Sequence, residues 1–127
     1  MISREDFESF MIRMDLDFEE IGENLWIVDP DRSGRSSIVV SYSPPLVILR
    51  SAVRDDPGND AERLAVYKRL LELNASDLVH GSYGLEDGEI VLSDALEVEN
   101  LDFTEFQASL ESLSLALTSH KDQLTPG

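Results

Sequence analysis

The sequence predicts an α+β fold, an antiparallel five-stranded sheet with three helices in the order α-β-β-β-α-β-β-α. Two kinds of periodicity and the connections between them point to it. Apolar residues step by three and four in segments at the beginning, middle and end of the chain, whereas the stretches between alternate with period two. The alternating stretches are joined by short runs rich in Gly, Pro, Asn and Asp, which suit hairpins between antiparallel strands and not long crossovers.

Ser3 and Asp6 resemble a capping box, so the first helix starts there. Phe7, Phe10, Met11 and Met14 then share one stripe, which reads as core; a Met and Phe stripe also has the chemistry of an adaptable peptide groove. After Asp15 the period changes to two, and three strands are expected around Leu25 to Val28, Ile38 to Tyr42 and Leu46 to Val53. Gly22 to Asn24 form a turn before the first, Asp29 to Gly34 a loop, and Ser43 to Pro45 the link between the second and third. Trp26 lies in the continuous apolar run LWIV, so both faces of that strand want cover and one of them is a candidate partner site.

Asn59 and Glu62 open a second helix with Leu64, Tyr67, Leu70 and Leu71 as its apolar face and Asn74 as its left-handed cap. Val79 to Leu85 and Ile90 to Leu96 form a hairpin around the Asp87-Gly88 turn. Asp102 and Glu105 cap the last helix, and Leu101 can staple onto Phe106. The helix carries a regular seam of Phe103, Phe106, Leu110, Leu113 and Leu117, with Leu124 on the same spacing; packing on the chain's own sheet is favoured over a coiled coil. One domain spanning 1–127 is expected, with residues 122–127 frayed.

The formal net charge of -16 on 127 residues is unevenly placed. From Leu70 to His120 there are eleven acids and no Lys or Arg, yet the segment keeps its apolar periodicity, so it is a folded acidic surface. Part of that charge is structural, as caps at Asp102 and Glu105 and as turn chemistry at Asp87. The remainder, chiefly Glu86, Glu89, Glu97, Glu99 and Glu111, is the portion available to select a partner. Charge of this sign repels phosphate backbones and anionic lipid and attracts basic peptides, so a protein or peptide partner is expected and nucleic acid and membrane are not. With no cysteine, no signal-like apolar segment and no span of membrane length, a cytoplasmic location is expected.

Catalytic signals are sparse. Asp29, Asp31, Ser33 and Gly34 echo the opening of a calcium loop, but Val40 stands where its bidentate Glu belongs. His80 and His120 have no metal-ligand spacing, and no phosphate loop occurs, so neither a metal nor a cofactor is expected. The alternative enzyme reading is a small hydrolase using His80, Ser82 and Asp94 of the final hairpin, and a third class is an acidic nucleic-acid mimic.

Four phrases, REDFESFMIRM, VSYSPPLVILR, YKRLLELNASDLVHGSYGLEDGEIVLSDALEVENLD and FTEFQASLESL, together resemble the YbjN family, whose fold is like that of the type III secretion chaperones. The resemblance spans most of the chain and rests on packing and turns, without a catalytic signature. It implies a non-enzymatic, chaperone-like or regulatory binding domain. The chaperone relatives are small, acidic and often homodimeric, with the partner chain extended over apolar grooves. Homodimerisation is therefore expected on two grounds, the Phe103 to Leu117 seam and the habit of these relatives.

Overall fold

The protein was analysed as a computed structural model that describes residues 1–29 and 37–124. Its elements are α1 (Arg4–Arg13), β1 (Asp17–Gly22), β2 (Leu25–Asp29), β3 (Ile38–Ser43), β4 (Leu46–Asp55), α2 (Asp60–Ser76), β5 (Ser82–Glu86), β6 (Glu89–Glu97), α3 (Phe103–Ser119) and the short α4 (Lys121–Leu124). The six strands form one sheet in the order β1-β2-β3-β4-β6-β5, with every neighbouring pair antiparallel. The α+β class is as expected, but the sheet has six strands and not five. The extra strand, DFEEIG, lies at an edge, and Phe18 alone among its residues is better than exposed, so it lacks the apolar alternation that marks the others.

The three long helices begin where their caps require. Ser3 Oγ accepts from Asp6 N–H at 3.1 Å, Asn59 Oδ1 from Glu62 N–H at 2.8 Å and Asp102 Oδ1 from Glu105 N–H at 2.8 Å. The β5–β6 hairpin turns through Asp87 and Gly88, both at positive φ, as a two-residue connection needs. Gly81 has a φ of +79°, and a Cβ there would stand 2.7 Å from both the Leu113 side chain and the Ser93 carbonyl oxygen. Only glycine suits that approach of chain to sheet.

The helices all contribute to one apolar core against one face of the sheet. Phe7 and Met11 of α1, Leu70 and Leu73 of α2, and Phe106, Leu110 and Leu113 of α3 meet Trp26, Val28, Ile38, Val40, Val47, Leu49 and Leu92 from the strands. Phe7 is the centre of an aromatic group, with Phe106, Trp26 and Tyr42 rings 4.9, 5.7 and 5.7 Å away. The α3 seam is thus consumed by the chain's own core, with Phe106, Leu110 and Leu113 at most 1% exposed.

Three local expectations are corrected. The buried side of α2 is Leu70 and Leu73, flanked by Val66 and Tyr67, while Leu64 and Leu71 are 73% and 68% exposed. Asn74 lies inside the helix, which ends at Ser76, and its side chain accepts from Tyr83 N–H at 2.8 Å and donates to Tyr83 C=O at 3.2 Å. It stands where a further strand would pair with the edge strand β5. Residues 121–124, expected in part to fray, form α4, and Leu124 is buried in the core while its carbonyl accepts from Arg54 at 2.6 Å. Most of the Asp29 to Gly34 loop considered for calcium, and the last three residues, lie outside the described residues.

Candidate functional site

Strand register assigns the residues of the sheet to two faces, because directly paired residues point the same way. Trp26 pairs with Val40, Val40 with Leu49, and Tyr42 with Val47; these face the helices. The alternate residues face away. Leu25 pairs with Ser41, Ile27 with Val39, Ser41 with Ile48, Ile48 with Ala95, and Ala52 with Val91. Leu25, Ile27, Val39 and Ile48 are half-buried and belong neither to the buried core cluster nor to the hydrophobics packed against it. A Cβ added at Gly84, on the same face, would meet nothing within 4 Å.

The open face carries two depressions. One of about 310 Å³ is lined by Asp17, Phe18, Glu19, Ile27, Asp29 and Ser37 at the β1–β2 side. The other, of about 450 Å³, is lined by Ile48, Gly81, Ser82, Ser93, Asp94 and Ala95 at the β4–β6–β5 side. Among the described strand residues, Arg50 is the one base on this face, and it pairs with Glu86 at 3.3 Å, reaching across β6 from β4 to β5. Glu89 and Glu97, the two ends of β6, register with Asp55 and Leu46 on the same side.

The structure therefore brings Glu86, Glu89 and Glu97 to one face. Glu99 is exposed in the segment between β6 and α3, and Glu111 is exposed on α3, where it lines a separate groove of about 390 Å³ with Met14, Leu16 and Leu115. Trp26 is a correction. It is 0% exposed, with its Nε1–H donating to Glu8 at 3.1 Å and the Arg4 guanidinium 4.9 Å above its ring, so it supports the sheet from the helix side and offers no surface. The residues of its strand that stand on the open face are its neighbours Leu25 and Ile27, signalled by the continuous apolar run itself.

The hydrolase constellation does not assemble. Ser82 registers with Ser93 on the open face, whereas Asp94 accepts from Ser109 Oγ of α3 at 2.7 Å on the helix face. His80 precedes β5 and is separated from it by the positive-φ Gly81, so it does not share a strand face with Ser82. The buried histidine is His120, 2% exposed at the end of α3. Its Nδ1 lies 2.7 Å from the Tyr83 hydroxyl and its Nε2 bonds Asp77 at the end of α2. In the neutral ring Nε2–H donates to the carboxylate and Nδ1 accepts from the tyrosine. Burial pushes the Tyr83 hydroxyl up to about 12, and the Asp77 charge adds to the shift. These groups tie α2, β5 and α3 together. Among the described residues, no group of three or more His, Asp or Glu is placed to hold a metal ion, and no helix is long and apolar enough to cross a membrane.

A six-stranded antiparallel sheet with helices packed on one face is a fold of the type III chaperone class. The family model CesT_Tir_1 matches residues 2–126, and the chain belongs to that family of type III chaperones. Among solved structures, YbjN from E. coli matches at a TM-score of 0.69 and 11% identity, over 96% of this chain and 93% of that one. A chain of the heterodimeric ExoU–SpcU complex from the type III secretion system of Pseudomonas aeruginosa matches at 0.65 and 17%, over 91% and 92%. The Yersinia pestis structure of the type III secretion chaperone SycH with a fragment of YscM2 matches at 0.64 and 15%, over 92% and 98%. At these identities the likeness is one of fold. No curated protein sequence matches the chain.

Proposed function

We propose that this chain is a non-enzymatic, acidic protein-binding module, chaperone-like or regulatory in role, that works in the cytoplasm by holding a segment of a partner polypeptide. The observation that carries this reading is a half-buried apolar sheet face, from Leu25 and Ile27 to Ile48, that the chain's own helices leave open. Support comes from the family and from the neighbouring folds, which include a chaperone–effector complex and a chaperone in complex with a fragment of another protein. Apolar strands with one face uncovered are stable in water only up to a modest area, and a larger one marks an interaction surface. The acidic field steers basic partners toward it and weakens with salt.

The test is purification of the tagged chain from its own cells, identification of any stoichiometric companion, and reconstitution from pure components. A complex in which a segment of the companion becomes protected from hydrogen exchange is the expected result. Repeated absence of a stoichiometric companion would reject the reading.

A homodimer belongs to the same proposal, though not through the α3 seam, which is spent in the core. Leu64 and Leu71, seven residues apart and exposed on α2, form an apolar pair on one helix that a second copy would cover. Light scattering should return twice the 14.2 kDa chain mass and fall to that mass in Leu64→Glu/Leu71→Glu. A chain that stays at 14.2 kDa across a wide concentration range would rule the dimer out.

A further inference from the structure

We infer that the open sheet face seats one amphipathic helix of a partner protein, about four turns long, with an apolar stripe and basic residues at both ends. The inference rests on the protein-binding reading above and adds to it the surface, the shape of the occupant and its charge pattern.

Shape follows from the sheet. Six strands give five lateral spacings of about 4.8 Å, so the face is about 24 Å wide from β1 to β5. A helix rising 1.5 Å per residue covers that width in about 16 residues. Its apolar stripe would run over Ile27, Val39 and Ile48, between a depression at the β1–β2 side and another at the β4–β6–β5 side.

Charge sets the ends. Glu19 of β1 registers with Ile27 on this face, and at the far side stand Glu86, Glu89 and Glu97. The Arg50 guanidinium between them is already engaged by Glu86. Among the described residues, Glu19, Glu89 and Glu97 have no basic partner, so cations arriving at both sides gain pairs that those residues do not supply. A second copy is the poorer occupant, since a face-to-face pair related by a twofold axis would bring acid-edged rims together. Phosphate-bearing ligands meet the same repulsion.

The probe is a fluorescein-labelled 16-residue peptide with a leucine stripe and three lysines at each end, followed by anisotropy at low and physiological salt. The control is the same peptide with glutamates in place of lysines. Binding of the lysine peptide alone, loosening with salt, is expected. Glu19→Lys/Glu97→Lys should weaken it about tenfold or more, as should Ile48→Asp, while Glu72→Lys/Glu111→Lys, with the same change in net charge on α2 and α3, should stay within about threefold. The charge reversals leave the core untouched and decide the matter if Ile48→Asp does not fold.

Equal weakening by both charge pairs would reduce the effect to general attraction and overturn the inference. So would loss confined to Glu72→Lys/Glu111→Lys, which would move the site to the helix side, or binding of neither peptide. A stoichiometric natural companion whose complex leaves exchange on β2, β3 and β4 unchanged would also overturn it, while the protein-binding reading stands. Self-association of the free chain that tightens with salt and is abolished by Ile48→Asp would assign the face to a second copy instead.

Discussion

The two faces of the sheet are made from the same strands and yet are covered differently. On one, Trp26, Val28, Val40, Val47 and Leu49 are all 0% exposed beneath three helices. On the other, Leu25, Ile27, Val39 and Ile48 alternate with them in sequence and remain half-buried. A strand that faces water on one side reads as apolar and polar in alternation; LWIV, IVV and LVIL do not alternate. The strands have the pattern of a sheet covered on both faces, and the described residues cover one.

The largest way to sharpen this difference is to empty a site on the covered face. Trp26→Ala should cost about 3–5 kcal/mol in urea unfolding, through lost burial and the cavity left beside Phe7 in the core. A loss under about 1 kcal/mol would mean that the helix layer does not hold the sheet as described.

A smaller loss is expected where the helix layer is pinned to the edge strand. His120→Phe removes the partner of the buried Tyr83 hydroxyl and should cost about 1–3 kcal/mol. Tyr83→Phe/His120→Phe, which removes both polar groups, should recover part of that cost. No recovery would show that the two rings do not depend on each other.

The tyrosine also makes the covered face sensitive to alkali. Its folded pKa of about 12 lies above the ordinary value of 10.0, so the folded state holds the proton more tightly than the unfolded one. The stability this contributes is fully present below pH 10 and is lost as pH rises through about 12. Unfolding free energy should fall across that window, and Tyr83→Phe should flatten the fall. An identical slope in the variant would place the alkaline loss elsewhere.

Helix starts, turns and most strands were legible because their signals are local. Ser3, Asn59 and Asp102 cap as their spacing predicts, and Asp87-Gly88 turns as its φ preferences require. What was hidden depends on distant chain. Trp26 is closed over by α1, eighteen residues from Glu8, and His120 meets Tyr83 and Asp77 across 37 and 43 residues. Asn74 resembles a helix stop, but a strand edge claims its amide. β1 carries too few apolar residues to announce itself, and α2 has leucines on two sides, so its period alone does not say which side is buried. Of the six partner residues expected from sequence, Glu86, Glu89 and Glu97 share the open face, Glu99 and Glu111 lie away from it, and Trp26 is in the core.

The division of labour between the faces is tested most directly by measuring stability and peptide affinity on one variant, Ile27→Thr/Ile48→Thr. Threonine keeps the β-branched shape that strands favour, so unfolding free energy should fall by no more than about 1–2 kcal/mol. Affinity for the lysine-ended helix peptide should fall about tenfold or more, from lost apolar contact. A collapse of stability with affinity unchanged would contradict the account, because the open face would then be part of the core and not the place where a partner sits.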